Sequence, residues 1–427
     1  MKRSTIALAL PLAAFSLTPL ASAPAFADAV ADFYKKKRVT LYVGYSPGGG
    51  YDRYSRTLAR HMGRHIPGTP RIIVKNRPGA GSMILTNELY NSLPKDGSVF
   101  GNVGRGLPQE PLMGTKEAKY DSTKFTWIGS MNNEVSVCVS WHKTAIKTVD
   151  DMLTKPFVVG GVGTGSDTDT FPTAVNNVLG AKLKLVTGYP GGNDINFAME
   201  RGELDGRCGW SWSSVISTRA KWLKDKKIHV LMQMSTEKHP DLPDVPFVLD
   251  LAKDENQRAT LAFIYARQAW GRPYLAPPGV PADRAKALQD AFMATMTDPK
   301  FIADAKKQRL EIAALSGPKV LELMKAMYDT PDNIVQLAAR ATTEQTGMAV
   351  EKAVIPVETM EGKITKTKRG GRKITVEGGG KTWSVSVSGS KTAVMVAGKK
   401  TKRKALVVGM SCKLTYQGTL AKAFDCQ

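Results

Sequence analysis

The sequence predicts an α/β fold with parallel sheets, followed by a small, separate all-β domain. Strand-like and helix-like segments alternate from residue 38 to residue 235, which is typical of parallel sheets with helices on both faces. Glycine-rich loops follow several of these strands, at the sheet edge where ligands bind in such folds. After about residue 345, short runs of alternating Val, Thr, Lys and Gly indicate about five antiparallel strands in a small sandwich or barrel.

The first glycine-rich loop follows a strand predicted over residues 39–45. The loop reads Ser46, Pro47, Gly48, Gly49, Gly50, Tyr51, Asp52, and a helix begins near Tyr51. Because glycines leave the backbone N–H groups uncovered, this loop and the positive end of the helix dipole favour an anion. Asp52 has two interpretations: it contacts a ligand, or it accepts backbone N–H bonds at the start of the helix.

The same strand, loop and helix pattern recurs along the chain. Predicted strands cover residues 71–75, 98–103, 135–141, 157–160, 184–188, 204–210 and 228–234. One predicted helix has Ile84, Leu85 and Leu89 facing inward, another begins at Pro172 and ends at Gly180, and a third ends at Gly202. Residues 281–340 are predicted to be mainly helical, with helices beginning at Pro281, Asp298-Pro299 and Gly317-Pro318.

The N-terminus has the pattern of a cleavable secretory leader. Lys2 and Arg3 precede an apolar run over residues 6–20, and residues 25–27 (AFA) supply small residues where a signal peptidase reads them. The run is shorter than the roughly 20 residues of a membrane span. We therefore expect cleavage after Ala27 and a soluble, periplasmic mature protein.

Length and charge indicate several domains. The chain has 427 residues and a formal net charge of +22, and its mature part is longer than one hydrophobic core usually holds. Residues 351–427 carry 13 Lys and 3 Arg against 5 acidic residues, which is half of the net charge. Weak contact of this segment with anionic lipid or envelope polymer is one interpretation. Few aromatic rings accompany the charge, so no specific nucleic-acid partner is predicted.

Four cysteines in an exported chain favour disulfides. Cys412 and Cys426 flank a predicted hairpin turn near residues 417–420, so a bridge between them is predicted. Cys138 and Cys208 lie in apolar, strand-like stretches, and two interpretations stay open for them: a second bridge, or two buried free thiols.

Sequence motifs of catalysis and cofactor binding are missing from the sequence. The glycine-rich loops lack the spacing of a dinucleotide or ATP-binding motif, and no nucleophile and base pair is evident. His61 and His65 are one helical turn apart, but without a third metal ligand they are predicted to be two surface histidines. We therefore expect no enzyme activity, no cofactor and no metal.

Six motifs in the same order give the chain a resemblance to a known family. They are SPGGGYD at 46–52, IIVKNRPGAGS at 72–82, KDGSVFGNVG at 95–104, GTGSDTDTFP at 163–172, VTGYPGGND at 186–194 and GRPYLAPPGVPADR at 271–284. Together they resemble the tripartite tricarboxylate transporter receptors of the TctC or Bug type, over about residues 33–340. The C-terminal β segment lies outside the resemblance.

The resemblance implies a two-lobed, hinged periplasmic binding protein of the Venus flytrap kind. Lobe 1 would comprise residues 28–132 and 235–340, and lobe 2 residues 133–234; a linker at 341–352 would lead to a basic β domain at 353–427. The implied function is to bind a small organic acid in the cleft and deliver it to a tripartite tricarboxylate-type permease. A monomer is expected.

The resemblance also implies which loops hold the carboxylate. The expected ligand-binding residues are Ser46, Pro47, Gly48, Gly49, Gly50 and Asp52 of the first loop, then Gly163, Thr164, Gly165, Ser166 and Thr168 of the second, and Tyr189, Gly191 and Gly192 of the third. Asp167 and Asp169 depart from the family pattern, because they would repel a carboxylate unless they point away or meet a cationic part of the ligand. The positive charge usual in the third loop is missing as well.

Arg105 and Arg207 could compensate for that missing charge, although Arg105 could equally be a solvated surface residue. Ser211 is expected to donate a hydrogen bond to the ligand. Trp210 and Trp212 either stack on an aromatic acid or pack in the core.

Other functions remain open at this point. A periplasmic sensor could use the same fold to present its ligand to a signalling partner. An envelope hydrolase, or attachment to the envelope through the basic β segment, are further alternatives.

Overall fold

The structure is a computed structural model that describes residues 25–343, 349–368, 370–389, 392–418 and 420–427. Most of the predicted leader therefore lies outside the described residues, and the predicted cleavage point after Ala27 falls within the first helix, α1 (Ala25–Lys35). No helix in these described ranges is both long enough and apolar enough to cross a membrane.

The described residues contain nineteen strands and thirteen α-helices. The strands are β1 (Val39–Val43), β2 (Ile72–Asn76), β3 (Val99–Asn102), β4 (Thr126–Ser130), β5 (Ser136–Trp141), β6 (Phe157–Gly160), β7 (Leu183–Thr187), β8 (Gly206–Ser211), β9 (Ile228–Met234), β10 (Pro273–Ala276), β11 (Leu315–Ser316), β12 (Val350–Lys352), β13 (Val357–Lys368), β14 (Lys373–Gly378), β15 (Lys381–Ser386), β16 (Ala393–Val396), β17 (Lys399–Lys400), β18 (Ser411–Gln417) and β19 (Leu420–Cys426). The remaining helices are α2 (Gly50–His61), α3 (Met83–Asn91), α4 (Val149–Thr154), α5 (Asp167–Leu179), α6 (Gly192–Arg201), α7 (Trp212–Thr218), α8 (Ala220–Lys224), α9 (Glu255–Tyr265), α10 (Ala282–Thr297), α11 (Pro299–Lys307), α12 (Gly317–Tyr328) and α13 (Asp332–Thr343).

Two six-stranded sheets form two α/β lobes, as the sequence predicted. Their strand orders are β11-β4-β10-β3-β1-β2 and β12-β7-β6-β8-β5-β9. The prediction that both sheets are parallel is wrong. In the first sheet β10 runs antiparallel to β3 and β4, and in the second β5 runs antiparallel to β8 and β9. Both β5 and β10 are the first strands after the chain crosses from one sheet to the other, so they enter the new sheet in the opposite direction.

Two local predictions about helices also need correction. Helix α5 begins at Asp167 and contains Pro172, because Ser166 starts it: the backbone carbonyl of Ser166 accepts hydrogen bonds from the N–H groups of Asp169 and Thr170. Ile84 is 40% exposed, whereas Leu85 and Leu89 are buried.

The predicted linker at 341–352 is in part regular structure. Helix α13 continues to Thr343, and β12 pairs in parallel with β7 at the edge of the second sheet. The chain therefore contributes a strand to the second lobe before it enters the C-terminal domain.

The C-terminal sheet contains seven strands in the order β15-β14-β13-β18-β19-β16-β17. Its pairs are antiparallel except for β16 with β19 and a single parallel contact between Ser386 and Leu420, which closes five of the strands into a small ring. Its apolar side chains form a core of their own, in which Ile374, Leu414 and Phe424 are fully buried. The sheet also touches the second lobe, where the ring of Trp383 lies 4.9 Å from that of Phe197 on α6.

Both cysteine pairs are bridged. The predicted bond between Cys412 and Cys426 is confirmed, and the two residues face each other in register on β18 and β19. For Cys138 and Cys208 the sequence left two possibilities open, and the structure has the disulfide, which joins the neighbouring strands β5 and β8.

Candidate functional site

A cavity of about 60 Å³ lies between the two lobes, where the loops after β1 and β3 face those after β6, β7 and β8. Of the residues that the sequence predicted for ligand binding, ten line this cavity: Ser46, Gly49, Gly50, Arg105, Gly165, Ser166, Thr168, Gly192, Trp210 and Ser211. The three predicted loops therefore contribute to one space between the lobes.

Seven other predicted residues do not line the cavity: Pro47, Gly48, Asp52, Gly163, Thr164, Tyr189 and Gly191. Gly163 and Thr164 face a neighbouring cavity, and Tyr189 is packed in the core of the second lobe. A Cβ atom on Gly191 would lie 2.3 Å from the hydroxyl oxygen of Ser46. Gly191 therefore lets the third loop approach the first, and the Ser46 N–H donates to the carbonyl oxygen of Pro190 at 3.1 Å.

The chain's own carboxylates bind backbone amides that the sequence assigned to a ligand. Asp52 accepts the N–H of Gly48 at 3.0 Å, and Asp169 accepts the N–H groups of Val162 and Gly163 at 2.7 and 2.9 Å. Asp52 therefore supports its own helix start rather than reaching the cavity. Burial raises the pKa of Asp169, and hydrogen bonds from its own loop oppose this effect.

Three helices begin at the cavity wall. The first residues of α2, α5 and α6 line it, represented by Gly50, Asp167 and Gly192. The positive ends of three helix dipoles therefore point toward one small volume, which favours negative charge there.

Direct polar contacts hold the two lobes together around the cavity. The Ser46 hydroxyl donates to Asp194 at 2.6 Å. Arg105 donates from Nε to Asp167 at 2.6 Å and from Nη2 to the Ser211 hydroxyl at 2.5 Å. Burial lowers the pKa of Arg105, but Asp167, Tyr51 and Glu134 together outweigh that effect, so the net pKa lies above its usual value.

A second group of buried charges lies behind this wall. Glu134 is 3.0 Å from Arg272, whose Nη2 also donates to the Ser213 hydroxyl at 2.9 Å. Arg267 is 4.0 Å from Glu110 and donates to the carbonyl oxygen of Gly165 at 3.3 Å. Buried ion pairs thus connect the lobes at several points.

Arg207 differs from these buried arginines because it has no acidic partner among the described residues. It lines the cavity with 8% of its surface exposed, and among the described residues no carboxylate lies within 4.0 Å of it. Its Nη1 donates to the Gly192 carbonyl oxygen at 2.9 Å and to Asn196 Oδ1 at 3.1 Å, and its Nε is buried without a partner. Burial, and then the charge of Arg219, lower its pKa to about 9, so it is charged at neutral pH.

Several residues that line the cavity were not among the predicted ligand contacts. They include Tyr45, Tyr51, Val162, Asp167, Asn193, Asn196, Arg207, Ser214 and Thr218. The sequence raised Arg207 only as a compensating charge and Asp167 only as a source of repulsion. A signal was present for Arg207, since a charged residue inside an otherwise apolar strand is rare unless it has a partner.

Trp210 packs in the core and also lines the cavity, and its stacking on an aromatic acid stays a prediction. Trp212 lies in the core without lining the cavity. His61 and His65 contact different carboxylates, those of Asp304 and Asp298, each at 2.8 Å. These two histidines therefore do not converge on one metal position.

Comparison with known proteins agrees with this architecture. The model of one protein family, described as "Tripartite tricarboxylate transporter family receptor", matches residues 55–339. A curated relative from Cupriavidus necator, "UPF0065 protein in gbd 5'region", is 24% identical over 313 residues, which are 73% of this chain and 89% of that protein.

Solved structures show the same fold. The periplasmic binding protein BugD is 19% identical, with a TM-score of 0.57 over 74% of this chain and 99% of that one. MatC (Rpa3494) from Rhodopseudomonas palustris, determined with bound malate, is 17% identical, with a TM-score of 0.55 over 70% of this chain and 99% of that one.

Proposed function

Because the chain belongs to the tripartite tricarboxylate transporter receptor family, we propose that it binds a small organic acid in the cavity between its lobes and delivers that acid to a tripartite tricarboxylate-type permease. The family consists of periplasmic solute-binding proteins and not of enzymes. The proposal concerns the ligand class, the position of the site and the membrane partner.

One observation carries the proposal: Arg207, a buried arginine without an acidic partner in the described ranges, lines a cavity between the lobes. Removing a charged group from water is costly unless an opposite charge compensates it. A carboxylate in the cavity would provide that charge for Arg207, and three helix N-termini would add to the attraction. MatC binds malate, a carboxylate, which supports the same ligand class here.

The remaining parts of the proposal concern the cellular setting. Export would follow cleavage of the leader after Ala27, and the mature protein would act as a monomer. Closure of the two lobes on the acid would create the surface that the permease recognises, because a ligand stabilises the conformation to which it binds more tightly.

A thermal-shift screen with short mono-, di- and tricarboxylates tests the proposal. A bound acid should raise the melting temperature as its concentration rises, and matched uncharged amides should not. Gly49→Val is the informative variant, because Gly49 lines the cavity and a Cβ atom there would meet nothing within 4 Å. Its added methyl groups should fill the cavity and abolish the shift with little change in stability.

Ala303→Val, at an exposed position on α11, is the matched control and should leave the shift intact. If no carboxylate shifts the melting temperature of the wild-type protein, the proposed ligand class is wrong. If Gly49→Val keeps the full shift, the acid binds elsewhere.

A further inference from the structure

The charges around the cavity leave one positive charge unbalanced. Arg105 is paired with Asp167, Arg272 with Glu134, and Arg267 lies near Glu110 and near Asp167. Three buried carboxylates thus face three buried guanidinium groups.

Arg207 is the fourth guanidinium, and it has no carboxylate partner in the described part of the chain. Asp194 and Asp169, the other buried acids nearby, do not line the cavity. The Asp194 carboxylate accepts the Ser46 hydroxyl, and that of Asp169 binds its own loop. The charged side chains that line the cavity itself are Arg105, Asp167 and Arg207, and the first two pair with each other. A ligand with one net negative charge therefore balances the cavity wall.

A second polar group at the cavity wall lacks a hydrogen-bond partner, and this group is an acceptor. Oδ1 of Asp167 is buried and accepts no hydrogen bond, while Oδ2 of the same carboxylate is bound by Arg105. A buried acceptor without a donor is unfavourable. An ammonium group would meet repulsion here, because Arg267 Nη1 lies only 3.9 Å from the same Oδ1 atom. A neutral hydroxyl group supplies the missing donor without adding positive charge.

The cavity also limits the size of the ligand. Its volume of about 60 Å³ is less than half of the roughly 150 Å³ that accommodates benzene, and corresponds to about four to six water positions. An acid of two to four carbon atoms suits this space, whereas a longer chain would extend out of the cavity or require the lobes to move apart.

Building on the proposed function, we propose that the cavity selects a short hydroxy monocarboxylate, whose carboxylate pairs with Arg207 and whose hydroxyl donates to Asp167. The chain would then differ in ligand charge from MatC, which holds the dicarboxylate malate. The arginine and the aspartate would act as the specificity-determining residues of this receptor.

Isothermal titration of the full mature chain with five probes tests the inference. Lactate carries one charge and a hydroxyl, propionate lacks the hydroxyl, alanine is a zwitterion, and malate and adipate carry two charges. We expect lactate to bind at least tenfold more tightly than each of the other four. If malate or adipate binds as tightly as lactate, the charge balance is wrong while the proposed function stands. If none of the five binds, the inference is wrong, and the thermal-shift screen with other carboxylates decides whether the proposed function stands.

Two variants test which side chains recognise the ligand. Arg207→Gln should weaken lactate binding at least tenfold, while the melting temperature of the empty protein stays equal or rises, because a buried, unpaired cation has been removed. A merely structural Arg207 would instead lower the melting temperature and leave affinity unchanged.

Asp167→Asn leaves two positive charges unbalanced and should shift the ratio of lactate to malate affinity toward malate by at least tenfold. This ratio is informative even if the variant is less stable. Asp290→Asn, in an exposed ion pair on α10, is the control and should change neither ratio nor affinity. An unchanged ratio in Asp167→Asn would overturn the inference.

Discussion

Glu134 connects the two lobes, and its replacement by Gln tests how strongly the buried ion pairs stabilise the protein. Its side chain is fully buried, lies 3.0 Å from Arg272 of the first lobe and accepts hydrogen bonds from the N–H and hydroxyl of Ser213 in the second. Glu134→Gln keeps the shape of the side chain but leaves Arg272 as a buried cation without its nearest counter-charge.

The expected cost follows from that burial. Breaking a fully buried ion pair on one side destabilises a protein by about 3–5 kcal/mol, whereas an exposed pair contributes at most about 1 kcal/mol. Taking about 2–4 °C per kcal/mol for a unit of about 200 residues, we expect the melting temperature to fall by roughly 6–20 °C. The matched control is Asp290→Asn, which removes the charge from a pair whose side chains are 73% and 64% exposed.

Differential scanning calorimetry of the ligand-free proteins measures both effects. Adding Arg272→Met to Glu134→Gln should restore part of the loss, because it removes the cation that the first change leaves unpaired. The reasoning is refuted if Glu134→Gln shifts the melting temperature no more than Asp290→Asn does, or if the second change causes a further loss of the same size.

Three further predictions concern the cavity, the disulfide and the basic domain. Gly192→Ala should weaken acid binding at least tenfold with little loss of stability, because a Cβ atom there would lie 2.1 Å from Nη2 of Arg207; titration and calorimetry of the same variant separate the two effects. Replacing both Cys138 and Cys208 with Ser should cost about 4 kcal/mol in urea unfolding, the loop-closure value for a separation of 70 residues, and an unchanged midpoint would contradict this. Exposed lysines in residues 399–404 should each strengthen binding to vesicles of anionic lipid about fivefold, so that a variant with all of them replaced by Gln binds as weakly as the wild type in high salt.

The sequence predicted those parts of the fold that depend on local pattern. Strand β9 lies where the alternation placed it, and α6 ends before Gly202, whose φ of 78° favours glycine. The direction of β5 could not be predicted, since it depends on where the chain crosses between the sheets. The same holds for β12, a three-residue strand whose only signal is its partner β7 in the folded protein.

The candidate site shows a similar division. Loop positions were predictable, because glycine at the end of a strand has a local cause. Whether the backbone amides of a loop are free for a ligand could not be predicted. Asp52 and Asp169 bind the amides of their own loops through contacts that only the folded chain shows. The absence of an acidic partner for Arg207 among the described residues is also invisible in the sequence, since it depends on every acidic residue that the fold brings nearby.

The ion pairs and the unpaired arginine have opposite effects on closure of the lobes. Contacts such as that of Arg105 with Asp167 form only when the lobes meet, and they favour the closed state without any ligand. In the proposed closing motion, Arg207 would be removed from water without gaining a counter-charge, which would disfavour the closed state when the cavity is empty. An anion in the cavity removes only the unfavourable contribution of Arg207. The free energy by which the anion favours closure is therefore set by the desolvation of Arg207 rather than by the total number of contacts. A receptor built in this way can close firmly and still distinguish the loaded state from the empty one.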